Sequence, residues 1–335
     1  MAFKREYLAE EADEAGEAAS LTTTQDGPRL CPIFICSAIG IIAATVAFFT
    51  FTAWDLGAGD FTWSWRAARA LLAKQNPYHT IQPLGAYPYD APFYYPLPAA
   101  LVALPFSPFP LTVAGALFVG VSAAILAWAL CRDEPDRLLL FASAPYWMAL
   151  RWGQWSPLLT ATLLIPALAA LVVVKPNLGL AVLVYRPRWQ VVAAGAAFGI
   201  ISLLILPSWP LDWFNALATN RHTIPVLTIP GCFVLLALLR WRDPRARLLI
   251  GLAIMPQRLL FYDQLALLLV APTLRTRLAL IILGWVGFLG WQSIGGPYTY
   301  AAPPWVLWLC YLPALIVVLA PLREQRMSSV SERVW

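Results

Sequence analysis

The chain has 335 residues, of which 60% are hydrophobic and only 12% are charged, and its formal net charge is +5. Soluble domains carry roughly 25% charged residues, so this composition excludes an ordinary soluble protein. Several apolar runs reach the roughly 20 residues that a membrane-crossing helix needs, and their continuous character excludes a transmembrane β-barrel. The sequence therefore predicts an all-α, polytopic transmembrane helical bundle.

The basic residues stand in small groups between the apolar runs, for example at 240–247, 275–277 and 323–326. Groups of this kind are typical of cytoplasmic loops under the positive-inside rule. A nucleic-acid-binding protein would instead gather its basic residues on one face, so no nucleic-acid partner is expected. The pattern predicts roughly 9–11 membrane segments and a cytoplasmic N-terminus.

Three parts of the chain differ in composition. Residues 1–30 are polar and acid-rich, which predicts a disordered cytoplasmic tail. Residues 31–322 form the predicted membrane domain, whose first helix is the apolar run 32–53, and residues 323–335 form a cytoplasmic C-terminal tail. The five cysteines include no CxxC pair, and two histidines are too few for a histidine-rich metal site.

Residues 54–95 form the longest polar loop, which the topology places on the external side. The apolar residues that follow Asp60 recur at spacings of four, three and four, which is one face of a helix, at Phe61, Trp65, Ala68 and Leu72. The pair Asn76-Pro77 ends this helix, since the residue before a proline avoids the helical region. We expect an amphipathic helix that lies flat on the outer membrane surface.

Two later regions predict interrupted helices. The stretch 96–131 contains either one long bent span or two short ones. The stretch 248–274 must leave and return within about 27 residues, which predicts broken or tilted helices that meet near 255–264. Irregular backbone at membrane depth is tolerated only inside protein or beside a wet cavity, so this break is a candidate site.

Five motifs occur in an order that resembles a known superfamily. They are an acid followed by a helical segment, "DF…AARALL…NPY" at 60–78, and then "YYPLPAAL" at 94–101, "WGQWSPLL" at 152–159, "KPNLGLAVLVYRPRW" at 175–189 and "MPQRLLFYDQLALLL" at 255–269. In order and spacing they resemble the GT-C membrane glycosyltransferases, and among these glycosyltransferase family 87, the polyprenyl-phosphate-mannose-dependent α-mannosyltransferases. The chain departs from the family in a shorter region between Gln154 and Lys175, and in Tyr262, where the family often has a histidine.

The resemblance implies a function. A hexose, most typically mannose, moves from a polyprenyl-phosphate carrier to a hydroxyl of a glycolipid or glycan at the external or periplasmic face of a bacterial inner or plasma membrane. The implied partners are the donor, the acceptor and membrane lipids. No metal or other cofactor is expected, although the carboxylates Asp55, Asp60 and Asp90 leave a metal site open. Two alternatives remain: a lipid-linked-sugar flippase or transporter, and a non-catalytic structural membrane subunit.

Asp60 matches the catalytic aspartate of the family, and we expect it to act as the general base that takes the acceptor's proton. The competing interpretation is that Asp60 only caps the helix 61–73, because aspartate is a favoured N-cap residue. Asp55 is the second candidate for the base.

Five charged residues are candidates for substrate binding, each with a structural alternative. Arg66 and Arg69 would bind the phosphate of the lipid carrier, or else anchor the helix among lipid headgroups. Lys175 lies in an apolar run and would bind substrate, or else extend to the cytoplasmic surface. Arg258 and Asp263 would orient sugar hydroxyls or phosphate, or else pair with each other.

Five uncharged or weakly charged residues complete the predicted site. Gln154 would hydrogen-bond a sugar or cap an exposed turn. Tyr95, together with Tyr94, would stack on a sugar face or belong to the interfacial aromatic belt. His79 and His222 would assist proton transfer or serve as ordinary loop residues.

Overall fold

The computed structural model describes residues 30–86, 91–220, 222–295 and 302–320, and these are almost entirely helical. The α-helices in chain order are α1 Leu30–Ala53, α2 Phe61–Leu72, α3 Pro77–Thr80, α4 Leu97–Ala103, α5 Leu111–Asp133, α6 Ala144–Arg151, α7 Ser156–Thr162, α8 Pro176–Tyr185, α9 Trp189–Ile205, α10 Trp209–Leu217, α11 Pro244–Ile254, α12 Leu274–Gly295, α13 Ala302–Val306 and α14 Leu312–Leu319. The 3₁₀ helices are Leu104–Phe106, Pro135–Ala142, Pro166–Val173, Pro225–Leu227, Gly231–Arg240 and Phe261–Val270, and a π-helical turn covers Leu307–Tyr311.

Four helices in the described ranges are long and apolar enough to cross a membrane, at Ile33–Ala53, Leu111–Asp133, Leu274–Ile294 and Ala302–Leu319. A fifth span exists if α9 and α10, which meet at a bend of 101°, are counted together. The chain is thus a multi-pass helical membrane protein, and its first span is the one predicted from the sequence.

The predicted number of 9–11 segments exceeds the number of full-length spans in the described residues. The remaining apolar stretches form shorter helices, at Leu97–Phe106, Pro176–Tyr185, Gly231–Arg240 and Phe261–Val270. The segment 96–131 is accordingly divided into a short helix and a long one. Prolines begin or interrupt several of these stretches, and a proline inside a helix removes a backbone donor and clashes with the preceding turn.

The long helices α1 and α5 pack against each other in antiparallel directions through small residues. Gly40 lies against Ala124, and Gly120 lies against Ala44. Small residues let two membrane helices approach closely, which is the main source of packing energy where no water is expelled. This pair brings the C-terminal end of α1 and the N-terminal end of α5 to the same end of the bundle, where Asp60 also lies.

Helix α2 forms where the sequence predicts it, and it buries Phe61 and Ala68 of the predicted face but not Leu72. Leu72 is 65% exposed, whereas Ser64, Ala67 and Ala68 are fully buried. These small side chains let α2 lie directly on the protein, where Phe61 stacks on Phe118 with 4.1 Å between ring centroids. The buried face of α2 therefore combines Phe61 with several small residues, and it does not extend to Leu72.

The predicted break within 248–274 is confirmed. Helix α11 ends at Ile254, the backbone of 255–260 is irregular, and the next helix is Phe261–Val270. The tails predicted at 1–30 and 323–335 lie outside the described residues except for Leu30, the first residue of α1. Residues 87–90 of the predicted external loop are also outside them.

Candidate functional site

A cavity of about 270 Å³ opens among α2, α8, α10 and the irregular segment 255–260. Its walls combine four charged side chains with several aromatic rings and an apolar patch. The lining residues are Asp60, Trp63, Tyr94, Tyr95, Pro96, Lys175, Pro176, Asn177, Leu180, Trp213, Leu217, Asn220, His222, Met255, Pro256, Arg258, Tyr262 and Asp263. A concave, mostly apolar pocket with a few convergent polar groups is the usual form of a ligand site.

Two interlocked turns hold Asp60 at this cavity. Gly59 and Gly153 both have positive φ, 56° and 55°, a backbone region that favours glycine. A Cβ at Gly59 would overlap the carbonyl group of Trp152, and a Cβ at Gly153 would overlap the carbonyl oxygen of Ala58. The backbone N–H of Asp60 donates to the Trp152 carbonyl at 2.8 Å, which ties the two turns together.

The Asp60 side chain does not cap α2, so the capping interpretation is wrong. It makes no capping hydrogen bond, and its carboxylate points instead to the protein interior. Oδ2 accepts from Gln154 Nε2 at 2.5 Å and from the Tyr95 hydroxyl at 3.4 Å. Burial and the nearby Asp60 carboxylate raise the pKa of Tyr95 well above its ordinary value, so this phenol stays neutral and donates.

The pKa of Asp60 is raised above its ordinary value, chiefly because burial disfavours the charged carboxylate. Lys175, the Gln154 hydrogen bond and Arg258 act in the opposite direction, and the negative charge of Asp263 raises the pKa further. A carboxylate with a raised pKa is a stronger base than a solvated one, which suits it to accept a proton near neutral pH.

Beyond Asp60 the polar contacts continue through three more side chains. Gln154 Oε1 accepts from Lys175 Nζ at 3.3 Å, and Lys175 Nζ forms an ion pair with Asp263 Oδ1 at 2.6 Å. Gln154 is 1% exposed and does not line the cavity, so it caps no exposed turn. Lys175 turns inward to this pair, which contradicts the alternative that it extends to the cytoplasmic surface.

Arg258 stands at the mouth of the cavity, and its predicted pairing with Asp263 does not occur. Its guanidinium donates from Nε and from a terminal nitrogen to Asn220 Oδ1 at 3.2 and 2.9 Å. A backbone bridge between Thr223 and Gln257 joins the two segments that carry these residues. In the described part of the chain no carboxylate forms an ion pair with Arg258, so its charge faces the cavity.

Two buried amide side chains, Gln257 and Gln264, form hydrogen bonds that hold the irregular segment 255–260 in place. Gln257 Nε2 donates to the Leu252 carbonyl at 2.6 Å and to the Tyr311 hydroxyl at 2.9 Å, and Gln264 Nε2 donates to Gln257 Oε1 at 2.8 Å. Gln257 and Gln264 are 2% and 1% exposed. These bonds fix the segment next to Leu259, whose φ is +53°.

Replacing Gln257 by leucine should lower the free energy of unfolding by about 1–3 kcal/mol, because a buried amide and hydroxyl lose their partner. Thermal unfolding of the detergent-solubilised protein measures this loss. Gln82→Leu is the matched control, since Gln82 is exposed and its Nε2 donates to the His79 carbonyl at the surface. Equal stability of the two variants would show that the hydrogen bonds of Gln257 do not stabilise the segment.

Aromatic side chains form one wall of the cavity with their polar atoms already engaged. Trp63 Nε1 donates to the Ala91 carbonyl at 3.2 Å, and Trp213 Nε1 donates to the Tyr94 carbonyl at 2.9 Å. The Tyr94 hydroxyl lies 3.3 Å from Thr219 Oγ1. The sequence interpretation did not select Trp63 or Trp213, although tryptophans in a predicted external loop were the available signal.

The structure does not bring Arg66 and Arg69 to this cavity. They line a separate groove on the other side of α2, together with Trp65 and Phe109. The Arg69 guanidinium donates to the Ser107 carbonyl at 3.4 Å and lies 5.1 Å from the Trp65 ring centroid. Their positions on α2 bring the two arginines to this groove and not to the cavity that Asp60 lines.

The other three candidates are divided between the cavity and the surface. Asp55 is exposed and does not line the cavity. His79 is also at the surface, 3.6 Å from Asp212 and with its side chain 70% exposed. His222 does line the cavity, and burial lowers its pKa, so its imidazole is neutral at neutral pH.

The cavity offers a carboxylate that can act as a base, Asp60, and a separate cation, Arg258. Among the described residues, no three histidine, cysteine, aspartate or glutamate side chains are grouped so as to hold a metal ion. Asp90, one of the carboxylates considered for a metal, is outside the described residues. Asp60 can accept a proton, Arg258 can receive negative charge, and the rings between them can contact an apolar molecular face.

Comparison with protein-family models, with curated proteins and with solved structures finds no match to this chain.

Proposed function

We propose that the protein is a membrane glycosyltransferase of the GT-C type that moves a hexose from a polyprenyl-phosphate carrier to a hydroxyl acceptor. The observation that carries the proposal is the position of Asp60, a partly buried carboxylate at a cavity whose mouth holds the arginine Arg258. The five motifs that resemble glycosyltransferase family 87 support the same assignment, since all five contribute residues to the cavity or to the contacts of Asp60.

In the proposed reaction the Asp60 carboxylate accepts the proton of the acceptor hydroxyl. The acceptor oxygen forms a bond to the anomeric carbon of the sugar as the bond from that carbon to the phosphate oxygen breaks. The electron pair of the broken bond stays on the phosphate, which departs as the lipid monophosphate with one more negative charge. Arg258 is suited to receive this charge, because a guanidinium binds phosphate oxygens with several donors at once.

The apolar and aromatic walls of the cavity suit the lipid tail and the sugar of such a donor. Leu180, Leu217 and Met255 provide an apolar side, and Leu180 is 42% exposed on the outside of α8. A wall that continues onto an exposed apolar helix surface would let a lipid tail remain in the bilayer while its head group enters. The rings of Trp63 and Trp213 offer faces against which a sugar can pack.

The proposal is tested by incubating the purified protein in lipid nanodiscs with a radiolabelled polyprenyl-phosphate mannose and a glycolipid acceptor. Transfer of label to the acceptor, dependent on protein, is the expected result. Label that crosses the bilayer of sealed vesicles without a covalent product would favour the flippase or transporter alternative instead. Absence of both transfer and transport, with glucose and galactose donors also tested, would favour a structural subunit.

Arg258→Gln should raise the KM for the donor about tenfold or more, since a hydrogen bond to a charged group contributes roughly 1.5–3 kcal/mol. Arg69→Gln is the matched control, because Arg69 lies in the separate groove and an exposed substitution there should change KM by no more than about twofold. Donor titrations of initial transfer rate measure both. A larger effect at Arg69 would move the phosphate site to that groove.

A further inference from the structure

Gln154, Lys175 and Asp263 form a continuous chain of contacts that ends on Asp60. The amide of Gln154 has its donor side on the carboxylate and its acceptor side on the ammonium group. Only this orientation works, because a carboxylate accepts and an ammonium group donates. The Lys175–Asp263 ion pair thereby fixes which side of the amide faces Asp60.

The burial of this chain strengthens its electrostatic effect. Gln154 is 1% exposed, and the Lys175 and Asp263 side chains are 12% and 3% exposed. Charges act on each other more strongly away from water, and hydrogen bonds in series polarise one another. Substrate has little access to an amide that is covered in this way, so Gln154 is better placed to act on Asp60 than on a sugar.

We infer that Gln154, Lys175 and Asp263 are positioning residues that set the orientation and charge state of the Asp60 carboxylate, with Lys175 and Asp263 acting through Gln154. Their relevance to sugar transfer rests on the proposed function of Asp60. Lys175 and Asp263 also line the cavity, so their predicted role in substrate binding stays a prediction beside this one.

The groups that face Asp60 come from every element packed around it. They are Tyr95 before α4, Lys175 at the start of α8, Arg258 in the irregular segment, and Tyr262 and Asp263 at the start of Phe261–Val270. Lys175 and Asp263 affect Asp60 with opposite signs, since Lys175 lowers its pKa and Asp263 raises it. An ion pair that acted only through space would give the same two opposite shifts, but these shifts would not depend on Gln154, so the double-mutant cycle on Gln154 separates the two cases.

The test is an infrared titration of the Asp60 carboxyl band in the full-length, detergent-solubilised protein, with the band assigned by its loss in Asp60→Asn. In Lys175→Met the band should titrate at a higher pH than in the parent protein, because the carboxylate loses a positive neighbour. In Asp263→Asn it should titrate at a lower pH, because a negative neighbour is gone. Each substitution should change the proton affinity of the Asp60 carboxyl about tenfold, which is near the lower end of the effects that a neighbouring charge produces.

The role of Gln154 is measured by a double-mutant cycle. Gln154→Leu should raise the titration pH by itself, and Lys175→Met added to it should have a smaller effect than in the parent background. Additive effects would overturn the statement that Lys175 acts through Gln154. No shift in either charge variant, or shifts in the same direction, would overturn the whole inference.

Two features keep the experiment decisive. If Lys175→Met does not fold, because it leaves Asp263 buried without its partner, Asp263→Asn alone still decides the direction. The infrared readout does not depend on transfer, so a parent protein with the expected shifts but no transferase activity would refute the proposed function and not this inference. Where transfer is present, the acid side of its pH profile should move in the same directions as the band.

Discussion

Asp60→Asn should abolish sugar transfer, with a fall in rate of at least about 10²-fold, while the protein still inserts and folds. The amide keeps the shape of the side chain and can accept from Gln154, but it cannot take up the acceptor's proton. General acid–base catalysis typically contributes about 10²–10⁴-fold, which sets the expected size. Initial transfer rates in nanodiscs, with thermal unfolding as the test of folding, measure the two effects separately.

The same variant should not lose stability at neutral pH. A carboxyl whose pKa is higher in the folded than in the unfolded state binds protons more readily when folded, so its contribution to stability falls as pH rises above its ordinary value of 3.8. Asparagine removes this pH-dependent cost. We therefore expect Asp60→Asn to be at least as stable as the parent at pH 7, and to lose any advantage as pH falls to about 4.

Asp55→Asn is the matched control for this experiment. It makes the same chemical change five residues earlier, at an exposed position that does not line the cavity. Transfer should remain within about twofold of the parent rate, as for other exposed substitutions. Undiminished transfer in Asp60→Asn, or loss of transfer in Asp55→Asn alone, would contradict the assignment of Asp60 as the general base.

Gly153→Ala should both destabilise the protein and lower its transfer rate. The residue has a φ of +55°, and a left-handed conformation costs a residue with a Cβ about 1–2 kcal/mol. The added methyl group must also displace the Ala58 backbone, which leads directly to Asp60. We expect the free energy of unfolding to fall by at least about 1–2 kcal/mol, as measured by thermal or chemical denaturation in detergent.

Gly199→Ala provides the comparison. Gly199 lies within helix α9, and among the described residues no atom outside the adjoining helix backbone and its chain neighbours stands within 4 Å of the position that a Cβ would take. Alanine there should stabilise the helix by about 0.5–1 kcal/mol, the usual gain over glycine in a helix interior. If Gly153→Ala behaves like Gly199→Ala, the two turns do not hold Asp60 in the way that their geometry indicates.

The sequence predicted the motifs of the site more accurately than its contacts. The turn at Gln154 and the break before Asp263 are local features that occur where expected, and the helix start after Lys175, which was not predicted, is a local feature of the same kind. Glycine with positive φ, proline in the first turn of a helix and an apolar stretch too short for two spans are signals that neighbouring residues alone can carry.

Local sequence patterns could not show that two of the predicted arginines lie outside the cavity. Arg66 and Arg69 lie on the helix that follows Asp60, so sequence proximity favoured a common site. The actual orientation depends on Ser64, Ala67 and Ala68, which pack against the protein because they are small. Hydrophobic periodicity correctly placed Phe61 and Ala68 on the buried face, but it also placed Leu72 there, and Leu72 is exposed.

By itself the sequence determined that this is a helical membrane protein. Its low charged fraction and long apolar runs suit most of the chain to the lipid bilayer and not to water. It also predicted the irregular segment at 255–260. The tertiary structure alone decided that Gln154 contacts Asp60 across 94 positions, and that Lys175 pairs with Asp263 rather than with any neighbour in sequence. Contacts over such separations follow from how whole helices pack, and that packing is the sum of many small side-chain fits that no local pattern contains.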